Sequence, residues 1–78
     1  MFTVYSKDNC KYCRAVEELL KMKDLPYTKY NLGEDFTADQ FIAQFGEGST
    51  FPRVKNFEGE LIGGAKETLI YLKDNGIM

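Results

Sequence analysis

Apolar and polar residues first alternate at Phe2-Thr3-Val4-Tyr5, a run rich in β-branched and aromatic side chains, and this spacing predicts a strand. Lys7-Asp8-Asn9 is a polar turn. From Cys10 the period lengthens: Val16, Leu19, Leu20 and the stem of Lys23 fall on one helical face, with Glu17, Glu18 and Lys21 on the wet side. Asn9 is the expected N-cap, and Pro26 ends the segment. Tyr27 to Leu32 reads as a second strand, in which Lys29 and Asn31 alternate with Thr28, Tyr30 and Leu32. Strand, helix and strand within about thirty residues make a βαβ unit, so these two strands should be parallel, with a right-handed crossover.

Beyond the polar loop at Gly33-Glu34-Asp35, Thr37 and Gln40 have capping-box spacing ahead of Phe41, Ile42 and Phe45, which predicts a short helix ending at Gly46. Pro52 to Phe57 and Glu60-Leu61-Ile62 form a hairpin about Glu58-Gly59. After Gly63-Gly64, a last helix from Ala65 to Asn75 carries Leu69, Ile70 and Leu72 and stops at Gly76. The expected order is β-α-β-α-β-β-α, an α/β domain spanning residues 1–78 without repeat or linker.

Composition narrows the function. A chain of 78 residues that is 44% hydrophobic and 28% charged has room for one small core. Such a core buries about 60% of the surface of the unfolded chain, so function is expected on the surface. Ten basic residues against twelve acidic ones leave a net charge of −2. With no basic cluster, that balance argues against nucleic acid or an anionic membrane as partner. Neither a membrane-length apolar run nor an export signal is present in the sequence, and the expectation is a soluble cytoplasmic protein.

Histidine is absent, which removes imidazole general bases, Ser-His-acid triads and imidazole metal sites. The chemistry that remains lies in Cys10 and Cys13, the two cysteines of the chain. As a staple this pair is poor, because the loop-entropy model credits so short a loop with about 2 kcal/mol before strain. A helix beginning at Cys10 would point free N–H groups and the positive end of its dipole at that sulfur, with Lys7 and Lys11 adding positive charge and Asp8 opposing it. Cys10 is therefore expected to be the more acidic thiol and the nucleophile. Cys13, one turn deeper on the apolar side, is placed to resolve a mixed disulfide. The plainer readings are two structural thiols or half of a zinc site, and the latter would require two chains sharing their pairs.

The segment from Tyr5 to Cys13, Tyr-Ser-Lys-Asp-Asn-Cys-Lys-Tyr-Cys, resembles the active-site stretch of dithiol glutaredoxins. Thr50-Phe51-Pro52 is similar to that family's Thr-Val-Pro loop and Gly63-Gly64 to its Gly-Gly turn, in the same order. The resemblance covers nearly the whole chain and implies a thioredoxin fold: a four-stranded mixed sheet flanked by three helices, its last two strands antiparallel. It also implies a cis Phe51–Pro52 bond and a groove for glutathione as reducing co-substrate, with no tightly bound cofactor. By position, Lys7 would meet the glycine carboxylate and Tyr12 would flank the tripeptide. Thr50, Phe51 and Pro52 would form the wall, with the Phe51 backbone pairing with the cysteinyl unit. Gly64 and Ala65 would offer N–H groups to the γ-glutamyl carboxylate, beside Lys66.

Two positions depart from the family's pattern. Lys11 stands where proline is common, and Lys66 where an acidic residue is usual, with Glu67 following it. Glu47-Gly48-Ser49 also lacks the Arg or Gln often found near the loop, which leaves Arg53 as the nearby cation. The expected activity is reduction of protein disulfides and glutathione mixed disulfides by a monomer. Two alternatives stand beside it: a thioredoxin-like electron donor to one enzyme such as a ribonucleotide reductase, and a dimeric iron-sulfur or metal carrier.

Overall fold

The computed structural model describes residues 1–77. Its elements run β1 (Phe2–Ser6), α1 (Lys11–Met22), β2 (Tyr27–Asn31), α2 (Ala38–Phe45), β3 (Arg53–Lys55), β4 (Leu61–Gly63) and α3 (Ala65–Asp74). This is the order expected from the hydrophobic pattern. The strands form one sheet in the order β2-β1-β3-β4. β1 and β2 are parallel, from Phe2 opposite Tyr27 to Ser6 opposite Asn31, while β3 runs antiparallel to both β1 and β4. The result is the mixed four-stranded sheet with three helices of a thioredoxin fold.

Alternation along β1 splits the core in two. Phe2 and Val4 point to one face, where they meet Val54 of β3, Val16 and Leu20 of α1, and Leu72 of α3, all buried. Burying each such side chain contributes about 1.5–3 kcal/mol. Tyr5 points the other way, into an aromatic layer formed with Phe36, Phe41 and Phe45 beneath α2. α2 is capped as the Thr37/Gln40 spacing predicts: Gln40 N–H donates to Thr37 Oγ1 (3.2 Å) and Thr37 N–H to Gln40 Oε1 (2.8 Å).

Several boundaries and faces differ from expectation. β3 stops at Lys55 rather than Phe57 because Asn56 leaves the ladder to organise the hairpin turn. Its side-chain oxygen accepts from the N–H groups of Glu58 (2.9 Å) and Glu60 (3.0 Å). β2 ends at Asn31, and Leu32 instead bridges to Phe36. Asn31, expected on a wet face, is buried, since its amide is fully occupied by Asp8, Glu34 and the Leu32 carbonyl. On α3 the second buried position is Thr68, whose hydroxyl donates to the Gly64 carbonyl (2.8 Å), while Ile70 is exposed. A hydroxyl can be buried once its hydrogen bond is made, and apolar periodicity does not detect it.

Candidate active site

The end of β1 delivers the chain to the site through a tight turn. Ser6 is buried, Asp8 Oδ1 accepts from Asn31 Nδ2 (3.1 Å), and Asn9 takes the left-handed conformation (φ 54°). Asn9 is thus not the N-cap of α1. That position belongs to Cys10, with extended backbone (φ −110°, ψ 105°), and its Sγ accepts from the Cys13 N–H at 3.2 Å. The reason lies in the turn: asparagine tolerates positive φ, so it closes the loop, and the next residue inherits the cap. The nucleophile expected from sequence therefore stands at the positive pole of a twelve-residue helix with a backbone donor on its sulfur.

Cys10 and Cys13 are joined as a disulfide, their Cα atoms 5.2 Å apart. Cys10 is 7% exposed and Cys13 fully buried against the sheet. What little surface the pair presents belongs to Cys10, so Cys13 reaches substrate through it. In the reduced protein, iodoacetamide is expected to modify Cys10 at least about tenfold faster than Cys13 at neutral pH, because dipole and N–H both favour the Cys10 thiolate. Residue-resolved mass spectrometry measures this, and a faster Cys13 would reverse the assignment.

The remaining residues named from sequence fall into three groups around this pair. Lys7 extends over the Phe51 ring, its ammonium 5.4 Å from the centroid. Phe51 in turn stacks on Phe41 (4.2 Å between centroids, 12° between planes), so the loop before Pro52 is anchored in the aromatic layer. The Phe51–Pro52 bond is cis and Pro52 is buried. Thr50 is exposed and holds Arg53, whose Nε donates to the Thr50 carbonyl (3.0 Å) and Nη2 to its hydroxyl (3.4 Å). Across α1, Tyr12 is 62% exposed. It lines a mainly apolar groove of about 490 Å³ between α1 and α3, together with Leu19, Met22, Ala65, Lys66 and Leu69.

The third group is the start of α3. Gly63 has φ +131°, and a Cβ there would lie 2.9 Å from the Glu67 side chain, so glycine is required on both counts. Gly64 is the N-cap, and its N–H donates to Glu67 Oε1 at 2.8 Å. That bond, the Glu67 N–H, and the charges of Arg53 and Lys66 hold the Glu67 carboxyl below the ordinary glutamate range. Because the folded-state value is the lower one, the stabilisation is present at neutral pH and disappears as pH falls through the ordinary and then the depressed value. The gap in Tm between the wild type and Glu67→Gln is therefore expected to narrow as pH is lowered from neutral through the ordinary glutamate range. A gap that stays constant would mean that the charge on Glu67 contributes nothing to the cap.

Sequence reasoning missed two supporting residues. Asn31 ties the turn before Cys10 to the loop after β2, and nothing in a polar residue at a strand end signals that role. Phe41 was legible as a core position of α2, but its stacking under Phe51 was not, since the partners lie ten residues apart in different elements. Among the described residues, no group of three or more His, Cys, Asp or Glu side chains is arranged to hold a metal ion, and no helix is long and apolar enough to cross a membrane.

Two thiols that close into a disulfide across one turn of helix, at the carboxyl end of a central strand, exchange electrons with other disulfides, and the chain is by class a thiol-disulfide oxidoreductase. Residues 2–62 match the glutaredoxin family model, so the chain belongs to the glutaredoxin family. It is 28% identical over 64 residues to an uncharacterized glutaredoxin-like 8.6 kDa protein in the rubredoxin operon of Clostridium pasteurianum, a match over 82% of this chain and 84% of that protein. Among solved structures it is similar to buckwheat glutaredoxin in complex with glutathione, with TM-score 0.78, 25% identity, and coverage of 97% of this chain and 71% of that one. Glutaredoxin 1 of Francisella tularensis, complexed with cacodylate, shares the fold at TM-score 0.77 and 18% identity, over 97% of this chain and 94% of that one.

Proposed function

We propose that the chain is a glutathione-linked oxidoreductase that reduces protein disulfides and glutathione mixed disulfides in the cytoplasm. The observation that carries this reading is Cys10 at the N-cap of α1, its sulfur accepting a backbone N–H, with Cys13 buried one turn below. In the reduced enzyme the Cys10 thiolate attacks a substrate disulfide, forming a mixed disulfide and expelling one substrate thiolate. Cys13, deprotonated, then attacks Cys10 Sγ, closing the intramolecular disulfide and releasing the second thiolate. Two electrons pass to the substrate. Two molecules of glutathione return them, leaving as glutathione disulfide.

The tripeptide would lie between the Phe51 wall and the start of α3. Lys7 supplies a cation for its glycine carboxylate, Thr50, Phe51 and Pro52 form the wall, and Tyr12 closes one side. Gly64, Ala65 and Lys66 lie at the γ-glutamyl end. In support of this placement, a Cβ at Gly64 would lie 3.6 Å from the Pro52 carbonyl, and Tyr12 shares a groove with Ala65 and Lys66.

A second reading, a thioredoxin-like donor to a dedicated enzyme such as a ribonucleotide reductase, is favoured by one observation. Arg53 and the Gly64 N–H, two groups suited to carboxylates, are already engaged within the chain, by Thr50 and Glu67. Turnover assayed in parallel with glutathione plus its reductase and with thioredoxin reductase separates the two. The first reading expects the glutathione system to sustain the faster cycle, and a cycle sustained by thioredoxin reductase alone would replace it with the second.

A further inference from the structure

We propose that the groove between β4 and the outer face of α3 docks a basic, apolar segment of a partner protein, through a contact in which neither sulfur takes part.

Two aliphatic side chains are left outside the core here: Ile70 of α3 is 46% exposed and Leu61 of β4 is 51% exposed. Both line one groove of about 430 Å³, with Ile62 and Tyr71 beside them. On α3 the lining residues Glu67, Ile70, Tyr71 and Asp74 recur at three and four positions, so they form a single stripe of the helix, apart from the buried Thr68 and Leu72. β4 is the last strand of the sheet, and its outer edge has no neighbouring strand. This groove shares no lining residue with the one beside Tyr12.

Charge selects the occupant. Glu60 and Asp74 stand on the rim, one on the strand side and one on the helix side, together with Glu67. Among the described residues no lysine or arginine lines the groove or forms an ion pair with these carboxylates. Lys66 and Lys73 fall on the stripe of Leu69 instead. Glu67 is held by the Gly64 N–H, so Glu60 and Asp74 carry the free charge. The groove between α1 and α3 differs, since Glu18 and Lys66 both line it. A second copy of the chain is disfavoured, because a two-fold contact over this face would set the carboxylates against their own copies. Phosphates of nucleic acids or acidic lipids meet the same repulsion. A large aliphatic side chain flanked by lysines or arginines meets neither penalty. It covers Leu61 and Ile70 while its neighbours reach Glu60 and Asp74.

The test is fluorescence anisotropy of the oxidised protein with the labelled peptide Gly-Ser-Lys-Leu-Ile-Lys-Ser-Gly. Two controls replace its Leu-Ile by Ser-Ser or both lysines by glutamates. The first peptide is expected to bind with Kd below about 1 mM and each control at least about tenfold more weakly. Ile70→Ser and Asp74→Lys alter exposed positions and should leave the circular dichroism unchanged. Ile70→Ser is expected to weaken binding about three- to tenfold through lost apolar contact. Asp74→Lys should weaken it about three- to fivefold, a loss that shrinks in about 0.5 M salt. Equal binding of the Ser-Ser peptide, preference for the glutamate peptide, no binding below about 1 mM, or either folded variant binding like the wild type overturns the proposal. A wild-type dimer in sedimentation that Ile70→Ser dissolves gives the face to a second copy and overturns it as well. No glutathione enters the assay, so failure here leaves the proposed redox cycle untouched.

Discussion

Cys10→Ser is expected to abolish disulfide reduction, lowering turnover at least about a thousandfold, because a hydroxyl at neutral pH is no substitute for a thiolate nucleophile. Cys13→Ser should behave differently according to substrate. On a glutathione mixed disulfide it is expected to keep activity within about tenfold of the wild type, since a second glutathione can clear the adduct on Cys10 without help from Cys13. On a protein disulfide it should stall as a mixed disulfide that survives non-reducing electrophoresis. The geometry makes the asymmetry: Cys10 is the cap residue with a backbone donor on its sulfur and the small exposed surface of the pair, and Cys13 is fully buried one turn below. Equal losses in both variants on the glutathione substrate would overturn this division of roles.

The second large effect is expected at Phe41, far from the sulfurs in sequence. Its ring is 4% exposed and stacks on Phe51, with Phe36 and Phe45 beside it. Phe41→Ala removes the centre of this layer, and a buried aromatic cut back to alanine costs about 3–5 kcal/mol. Small domains hold roughly 0.05–0.15 kcal/mol per residue, about 4–12 kcal/mol for a chain of this length, so the loss is a large fraction of the total. Urea unfolding of the wild type and the variant measures it. Phe41→Leu, which refills most of the volume, is expected to lose only about 1–2 kcal/mol and to remain folded. In that folded variant the Phe51 wall loses its stacking partner, so KM for glutathione should rise while the chemistry at Cys10 persists. An alanine variant less than about 1 kcal/mol weaker than the wild type would show that the layer repacks around the gap.

Local spacing carried the order of elements, the parallel β1-α1-β2 unit, the α2 capping box and the redox pair, because each depends on residues within a few positions of one another. Of the apolar positions that periodicity named, Val16, Leu20, Phe41 and Leu72 are buried, whereas Ile42 and Ile70 are exposed. Periodicity also failed where polar groups are buried with partners from elsewhere in the chain. Asn31 is inside because Asp8 and Glu34 come to meet it, and Thr68 because it bonds the Gly64 carbonyl one turn back. The cap of α1 moved from Asn9 to Cys10 because the turn that follows β1 required a positive φ, a demand set by how the strand enters the helix. Likewise Glu67 is three residues from Gly64 in any reading. That Arg53 joins the neighbouring charges on its carboxylate was decided only when α3 packed beside β3 and β4. Short-range pattern determines which segments form and which atoms can react. Long-range packing alone decides which polar groups find partners and which stay open to a ligand, since those partners are brought together by the sheet and not by the chain.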